Sequence, residues 1–259
     1  MQNALDFTGK VVIVTGGGKG VGRGISERFL AAGADVAICG RSEPDSLPSA
    51  EGREAWFSAL DVRDPDAVQA FVDNVKEKFG RIDVLINNAG GAPYADAATA
   101  SPRFSESIVR LNLLAPLFFA QACNAVMQKQ EGGSIVNIAS VSAQRPSPGT
   151  AAYGAAKAGL LNLSSSLAVE WAPKVRSNTI IAGLIRTEQS HLHYGDEAGI
   201  AAVGETIPLG RMAVPNDIAE ACLFLASDMA SYVSGAALTV HGGGEKPAFL
   251  DAANADNEK

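Results

Sequence analysis

The stretch that decides the fold is Val11-Val-Ile-Val-Thr-Gly-Gly-Gly-Lys-Gly-Val-Gly22, which runs from an apolar strand through glycines into the helical pattern of residues 25–32. Glycine at a strand-to-helix turn permits positive φ and close approach of the backbone to a ligand. The N-terminus of the following helix offers free N–H groups to a pyrophosphate. The spacing Gly16-xxx-Gly20-x-Gly22 differs from the G-x-G-x-x-G fingerprint, and a structural turn is the alternative. The flanking strand and helix favour a dinucleotide site.

Short β-branched runs alternate with helical patterns from Lys10 onward, which is typical of βαβ units. One helical pattern, from Pro65 to Phe79, places its apolar residues on one stripe. The predicted strands are Val11–Val14, Asp35–Cys39, Trp56–Leu60, Val84–Asn87, Ser134–Ala139, Arg176–Ile181 and Ala236–Val240. No linker or repeat divides the chain. We therefore predict an α/β fold, a single doubly wound Rossmann-type domain over residues 1–244, with a seven-stranded, mostly parallel sheet and helices on both faces.

The bulk composition narrows the function classes. The 259 residues are 47% hydrophobic, enough for a substantial core, and the net charge of -7 repels phosphate backbones, so we expect no nucleic-acid partner. The N-terminus lacks a secretory pattern and no apolar run approaches the roughly 18 residues of a membrane span, which predicts a cytoplasmic protein with no membrane partner.

Cys39, Cys123 and Cys222 lack C-x-x-C spacing, so we interpret them as packed thiols.

The end of the second predicted strand bears on the choice of cofactor. In such folds an acidic residue there binds the adenosine ribose of NAD, whereas a basic residue suits the 2′-phosphate of NADP. Here the strand runs into Gly40-Arg41-Ser42, with no carboxylate. Arg41 can pair with a phosphate, Ser42 can donate a hydroxyl, and Lys19 in the glycine turn adds charge. The pattern favours NADP(H) over NAD(H), with solvated surface charges as the alternative interpretation of Lys19 and Arg41.

Seven motifs occur in one order along the chain. They are Thr15-Gly-Gly-Gly-Lys-Gly-Val-Gly22, Ala59-Leu-Asp-Val62, Asn87-Asn-Ala-Gly90, Leu111-Asn112, Asn137-Ile-Ala-Ser140, Tyr153-Gly-Ala-Ala-Lys157 and Asn178-Thr-Ile-Ile-Ala-Gly183. With this ordered set the chain resembles the short-chain dehydrogenase/reductase family over nearly its whole length. Two later motifs, Pro208-Leu-Gly-Arg-Met212 and Tyr232-Val-Ser-Gly235, resemble 3-oxoacyl-carrier-protein reductases in particular.

The resemblance implies positions that bind the cofactor. Asp61 and Val62 would flank the adenine, Asn88 would lie by the ribose, and Ile185 and Thr187 would hold the nicotinamide carboxamide. The complete predicted set is Gly16, Lys19, Gly20, Val21, Gly22, Arg41, Ser42, Asp61, Val62, Asn88, Ala89, Gly90, Tyr153, Lys157, Ile185 and Thr187, with no metal ligands.

The proposed chemistry assigns roles to four side chains. Hydride transfer between a carbinol carbon and a nicotinamide requires a proton to move as well, so a phenol beside the substrate oxygen needs a lowered pKa. Tyr153 and Lys157 share one face of the predicted helix from Ala151 to Glu170, and an ammonium beside a phenol favours phenolate. Ser140, at the carboxyl end of a predicted strand, would hydrogen-bond the substrate oxygen. The resemblance implies that Asn112 orders a water linking Lys157 to bulk solvent.

Structural interpretations of the same residues stay open. A Tyr–Lys pair on a helix is by itself more often an amphipathic contact, and the position of Ser140 thirteen residues upstream is what favours catalysis. Ser142 is a competing hydroxyl. Asn112 could be a polar residue that only interrupts a helix.

Arg186 to Leu209 is predicted to be an irregular segment and a substrate lid. Gly91–Tyr94 and Gln144–Thr150 would contribute to selectivity with it, and Arg145 could meet an anionic substrate group or point into water. His191 and His193 have i, i+2 spacing and no second cluster, which is typical of a solvated lid rather than a metal site.

The chain departs from the family pattern at three places. Ala182-Gly183 replaces the usual Pro-Gly, and His241-Gly242-Gly243 replaces the usual Asp-Gly-Gly. Residues 41–55 contain two prolines, so the usual helix there is expected to be reduced to a turn. The polar tail, residues 245–259, is predicted to be disordered.

The sequence thus predicts an oxidoreductase that transfers a hydride between NADP(H) and a secondary alcohol/ketone, either a 3-oxoacyl thioester, a steroid or a related alicyclic substrate. Small residues along the helix from Ala151 and the family resemblance imply self-association as a homotetramer or homodimer. An NAD-linked catabolic hydroxyl dehydrogenase and a catalytically inactive nucleotide-sensing protein are the alternatives; the intact Ser140, Tyr153 and Lys157 argue against the latter.

Overall fold

The structure is a computed structural model that describes residues 4–253. Its strands are β1 (Val11–Thr15), β2 (Asp35–Gly40), β3 (Ser49–Ala50), β4 (Arg53–Glu54), β5 (Trp56–Ala59), β6 (Val84–Asn87), β7 (Gly133–Ser140), β8 (Val175–Ala182) and β9 (Ala237–Val240). Its α-helices are α1 (Gly20–Ala31), α2 (Pro65–Phe79), α3 (Pro102–Val109), α4 (Ala115–Met127), α5 (Ala151–Glu170), α6 (His191–Tyr194), α7 (Glu197–Glu205), α8 (Pro215–Ala226) and α9 (Ala248–Ala252).

The described strands form a seven-stranded sheet in the order β5-β2-β1-β6-β7-β8-β9, and every neighbouring pair in it is parallel. The predicted fold class is therefore confirmed. The strand order reverses at β1, which pairs with β2 on one side and β6 on the other. Loops leave the carboxyl ends of β1 and β6 in opposite directions, and the crevice between them is where open sheets of this type bind ligands.

Two hydrophobic clusters cover the two faces of the sheet. One holds Phe29 of α1 and Leu223 of α8, and the other holds Phe71 of α2 with Phe119 and Met127 of α4. All five side chains are fully buried. Each parallel strand is apolar on both sides because helices cover both faces.

The three cysteines lie in these clusters. Cys39 and Cys123 belong to one cluster and Cys222 to the other, and all three are free and buried. Burial raises the pKa of the Cys39 thiol to about 12 and also raises that of the other two. Their surroundings are those of packed, unreactive thiols.

Residues 41–55 contain no helix; the short antiparallel pair β3–β4 stands there, in agreement with the expected loss of the helix. The predicted irregularity of the segment Arg186 to Leu209 was wrong, because α6 and α7 form within it and Ile200 and Ile207 pack with Met212. Part of the tail is also ordered into α9, whereas residues 254–259 lie outside the described residues.

One helical stretch among residues 4–253, Pro102–Met127, is long and apolar enough to cross a membrane. The sequence analysis expected no apolar run of this length. Phe119, in its second half, is fully buried in the cluster against the sheet. The core helix of a globular domain has the same length and composition.

We expect Phe119→Ala to lower the free energy of unfolding by about 3–5 kcal/mol, because it leaves a cavity between Phe71 and the sheet. Urea denaturation followed by circular dichroism measures the change. Phe249→Ala is the matched control, since Phe249 is 70% exposed and its truncation should cost under about 0.5 kcal/mol. Equal losses in the two variants would contradict the packing described here.

Candidate active site

A cavity of about 590 Å³ lies over the carboxyl ends of the strands. It brings together the predicted cofactor and catalytic residues Gly16, Lys19, Gly20, Val21, Gly22, Arg41, Asp61, Val62, Asn88, Ala89, Gly90, Ser140, Tyr153, Lys157, Ile185 and Thr187. Ser42 and Asn112 are the two predicted residues that do not line it. Arg63, Glu188 and Gln189 do line it, although the sequence analysis gave them no cofactor role.

The glycine turn between β1 and α1 leaves no room for side chains. A Cβ on Gly22 would lie 2.2 Å from the carbonyl oxygen of Gly16, and Gly16 itself has a φ of 64°. A Cβ on Gly17 would lie 2.5 Å from Cγ2 of Ile38 in β2. The helix N-terminus therefore approaches the sheet closely and presents its backbone N–H groups to the cavity.

Asn88 ties the end of β6 to this turn. Its Nδ2 donates to the carbonyl oxygen of Thr15 at 2.9 Å, and the Thr15 hydroxyl accepts from the backbone N–H of both Asn88 and Ala89. The two strands at the switch point are thus joined beyond their last ladder pair. These bonds hold the crevice at a set width.

The end of the cavity over β2 and β5, where the sequence analysis placed the adenosine, carries an ion pair that the sequence analysis did not foresee. The Arg63 guanidinium donates to both carboxylate oxygens of Asp61, at 2.6 to 3.1 Å, and also to the Ser107 hydroxyl. The hydrogen bonds from Arg63 lower the pKa of Asp61 to about 2, with a smaller contribution from the charge of Arg41. Asp61 is therefore ionised and its charge is largely balanced by Arg63.

Lys19 and Arg41 add positive charge at the same end, and no salt bridge within residues 4–253 includes either. Ser42 does not reach the cavity because the chain turns back over the glycine turn directly after it. A Cβ on Gly18 would lie 3.1 Å from Pro44, and Arg23 of α1 donates to the carbonyl oxygen of Ser46.

Ser140, Tyr153 and Lys157 converge at the other end of the cavity. Ser140 ends β7, and Tyr153 and Lys157 lie one turn apart on α5. The Lys157 Nζ donates to the carbonyl oxygen of Ile138 at 2.7 Å and lies 5.8 Å from the centre of the Tyr153 ring. Lys157 is 3% exposed, and burial lowers its pKa to about 8.

The pKa of Tyr153 differs in direction from the expectation. Burial raises it, and the hydrogen bond with Ser140 only partly opposes that effect. Lys157 does not reverse the shift, since its ammonium bonds the Ile138 carbonyl rather than the phenol. The phenol is therefore protonated at neutral pH in this structure, a form that can donate a proton.

Asn112 lies at the centre of a π-helical turn, Arg110–Leu114, between α3 and α4. Its side chain is fully buried, accepts from the backbone N–H of Gly91 and donates to the carbonyl oxygens of Gly91 and Ile108. A Cβ on Gly90 would lie 2.7 Å from Asn112 Oδ1 and 3.1 Å from Lys157 Nζ. Asn112 and Lys157 are therefore close neighbours, and the predicted water relay between them stays a prediction.

The segment after β8 closes the cavity from the side of α1. The Glu188 carboxylate accepts from the backbone N–H of Gly20 at 3.0 Å, and the Thr187 N–H donates to the buried Ser190 hydroxyl. Ile185 forms a parallel bridge with Ala213. The start of the predicted lid is thus fastened to the glycine turn.

These residues fit a nicotinamide dinucleotide. The glycine turn makes a cradle that a single Cβ would fill, and Lys19 and Arg41 suit an additional phosphate. The N-terminus of α1 suits a pyrophosphate that takes the place of the Glu188 carboxylate on the Gly20 N–H. Among residues 4–253 there is no group of three or more His, Cys, Asp or Glu side chains arranged to hold a metal ion.

Comparison with known proteins agrees with this geometry. A family model described as enoyl-(acyl carrier protein) reductase matches residues 16–245. D-threitol dehydrogenase of Mycolicibacterium smegmatis is 38% identical over 91% of this chain and 92% of its own length. The 3-oxoacyl-[acyl-carrier-protein] reductase FabG of Chlamydia trachomatis is 36% identical over 90% of this chain and 96% of its own length.

Solved structures show the same fold. A Burkholderia xenovorans protein described as a short-chain dehydrogenase/reductase has a TM-score of 0.83 and 34% identity, covering 92% of this chain and 96% of its own. The chain belongs to the short-chain dehydrogenase/reductase family. Aldohexose dehydrogenase of Thermoplasma acidophilum, in ligand-free form, has a TM-score of 0.86 and 31% identity, covering 98% of each chain. Both the family and the resemblance to 3-oxoacyl-carrier-protein reductases are confirmed.

Membership of the short-chain dehydrogenase/reductase family makes this chain an enzyme of the oxidoreductase class. The relatives named above are dehydrogenases and reductases acting on alcohol or ketone groups. They are named for a sugar alcohol and an acyl thioester, so the family does not specify the substrate.

The buried Lys157 should make stability depend on pH in a defined window. Its pKa is about 8 in the folded protein and near 10.5 in an unfolded chain. Between these values the unfolded state binds the proton and the folded state does not, so the free energy of unfolding rises with pH. The full difference corresponds to about 3 kcal/mol.

Urea denaturation of the wild type and of Lys157→Met at pH 8 and pH 10 measures this effect. We expect the wild type to gain stability relative to Lys157→Met as the pH rises, and Lys129→Met, at an exposed lysine, to behave as the wild type does. Parallel pH profiles for the wild type and Lys157→Met would show that the ammonium is not buried.

Proposed function

We propose that the protein transfers a hydride between NADP(H) and a secondary alcohol/ketone pair, with Tyr153 as the general acid/base. The observation that carries the proposal is the single cavity that holds Ser140, Tyr153 and Lys157 at one end and the glycine turn with Lys19 at the other. The narrower substrate expectations, a 3-oxoacyl thioester, a steroid or an alicyclic compound, stay predictions. Relatives named for threitol, galactose, 3α-hydroxysteroid and 3-oxoacyl substrates support the broader class.

Each catalytic side chain has a role that its surroundings support. A bound nicotinamide supplies or accepts the hydride. The Tyr153 hydroxyl donates its proton to the substrate oxygen during ketone reduction and its phenolate accepts that proton during alcohol oxidation. The Ser140 hydroxyl hydrogen-bonds the same oxygen and stabilises developing charge there. For Lys157, whose Nζ bonds the Ile138 carbonyl and lies 5.8 Å from the centre of the Tyr153 ring, we propose that it turns to the phenolate and would hold the nicotinamide ribose. Asn112 would order the water that returns protons to Lys157.

The charge at the adenosine end supports a preference for NADP(H). Asp61 is balanced by Arg63, which leaves Lys19 and Arg41 to meet a 2′-phosphate. Val62 and Asn88 line the positions expected for adenine and ribose, and Ile185 and Thr187 line the nicotinamide end.

The proposal also covers the extent of the catalytic domain, the location of the protein and its self-association. The catalytic domain spans residues 1–244 with its lid at about 186–209. The protein is cytoplasmic, and it self-associates as a homotetramer or homodimer. Gly154 and Gly159 of α5 pack against Ser142 and Leu113 of the same chain, so the proposed self-association rests on the family resemblance.

We expect Tyr153→Phe to lower kcat for ketone reduction by about 10²–10⁴-fold, because it removes the proton donor and keeps the ring. Steady-state assays of NADPH oxidation over a panel of ketones measure the loss. Cofactor affinity, followed by NADPH fluorescence, should stay within about threefold of the wild type. A wild type that binds NADPH and reduces none of the panel would favour the inactive nucleotide-sensing alternative.

Arg41→Asp tests the choice of cofactor. We expect it to weaken NADPH binding by at least about tenfold, the loss of one charge-assisted hydrogen bond, and to leave NADH binding nearly unchanged. Arg103→Asp on α3, which lies outside the cofactor cavity, is the control of equal charge change. Tighter binding of NADH than NADPH by the wild type would instead favour the NAD-linked catabolic dehydrogenase.

A further inference from the structure

A second, smaller cavity of about 230 Å³ adjoins the catalytic end of the site. It lies over the carboxyl ends of β7, β8 and β9 and shares Gly183 with the cofactor cavity. One of its walls begins at Val141, the residue after Ser140. The non-reacting end of a substrate held at Ser140 and Tyr153 would therefore extend toward it.

The polar wall of this cavity is an ion pair between two distant parts of the chain. The Arg145 guanidinium, in the loop after β7, donates to the Glu245 carboxylate beyond β9. Tyr194 of α6 lies near this ion pair. Burial raises the pKa of Tyr194 most, the charge of Arg145 lowers it, and the charge of Glu245 raises it. Gln144 and His241 complete the polar lining.

Backbone geometry, rather than a loose tail, brings Glu245 to this position. Gly242, Gly243 and Gly244 have φ angles of 67°, 98° and 89°, a conformation that other residues rarely adopt. A Cβ on Gly242 would lie 2.8 Å from Ile207, and a Cβ on Gly243 would lie 2.8 Å from Pro208. The chain therefore turns tightly against the end of the lid and points back at Arg145.

The charge balance decides which substrates this wall accepts. Glu245 already neutralises Arg145, so a carboxylate or phosphate on the substrate would have to displace Glu245 and would be repelled by it. Hydroxyl groups both donate and accept, and can bond to the carboxylate and the guanidinium without separating them. Vicinal hydroxyls match this paired arrangement of acceptor and donor.

The size of the cavity points the same way. Sites for drug-sized ligands measure roughly 300–1,000 Å³ and are lined mainly by apolar side chains. This cavity is smaller, although Val141, Leu184 and Ile207 give it an apolar floor beneath its polar wall. A fused-ring substrate would not fit within this volume.

We propose that this cavity is the subsite for the non-reacting end of the substrate, and that Arg145, Glu245, Gln144 and His241 select a small, uncharged, polyhydroxylated alcohol or the corresponding ketone. The inference rests on the proposed oxidoreductase function and narrows its substrate class. Glu245 is a specificity-determining residue in it, and Tyr153 keeps its role in proton transfer.

A series of four-carbon substrates tests the proposal: a tetritol, butane-2,3-diol, butan-2-ol and 3-hydroxybutyrate, each with a secondary hydroxyl. In the wild type we expect kcat/KM to fall along the series, with the tetritol at least about tenfold better than butan-2-ol. In Glu245→Gln we expect KM for the tetritol to rise at least about fivefold with kcat nearly unchanged, and kcat/KM for 3-hydroxybutyrate to increase because Arg145 is released. Glu77→Gln, on the outer face of α2, should leave all four unchanged.

Reduction of butane-2,3-dione in the same assay separates this inference from the proposed function. If the dione is reduced in a Tyr153-dependent way but butan-2-ol or 3-hydroxybutyrate is used as well as the tetritol, the subsite is wrong and the oxidoreductase function stands. Equal KM changes for all four substrates in Glu245→Gln also overturn the subsite, since they indicate a merely structural role. If neither the dione nor any alcohol reacts, both proposals are wrong.

Discussion

The contact between Gly22 and the carbonyl oxygen of Gly16 is the constraint on which the rest of the site depends. A helix can begin this close to the end of a strand only if no side chain intervenes, since a Cβ would lie 2.2 Å from the oxygen. The closeness places the N-terminus of α1 at the crevice and lets α1 pack against α8 on one face of the sheet. Asn88 then bonds the same turn from β6 and holds the crevice in place.

At the opposite end of the cavity, burial lowers the pKa of Lys157 and raises that of Tyr153. Lys157 has almost no contact with water, and an ammonium in that position costs free energy unless a partner is aimed at it. The Ile138 carbonyl is that partner, and Gly90 leaves the space that the ammonium needs. The same dry surroundings raise the pKa of Tyr153, so the phenol keeps the proton that the proposed mechanism requires it to donate.

The smaller cavity, which we propose as the substrate subsite, is built from segments that lie far apart in the chain. Glu245 reaches Arg145 because three glycines after β9 turn the backbone toward the lid. Leu209 donates to the Gly242 carbonyl at the same turn, so the end of the lid and the start of the tail form one wall. The proposed substrate subsite and the proposed cofactor site are therefore built from separate contacts, the first at the edge of β7 to β9 and the second at the crevice beside β1.

The sequence by itself determined the elements whose signals are local. Short β-branched runs predicted the seven strands, and an apolar stripe with a 3.6-residue period predicted the helix Pro65–Phe79. Ordered motifs predicted that Ser140, Tyr153, Lys157 and the glycine turn lie in one site, which the cavity brings together. The tertiary structure alone decided what depends on distant neighbours. It paired Arg63 with Asp61, folded Pro44 over Gly18 so that Ser42 stays outside, and ordered α6 and α7 around Ile200. It also set the direction of the pKa shift of Tyr153, because desolvation depends on everything packed around a group, and a spacing of four residues records only one neighbour.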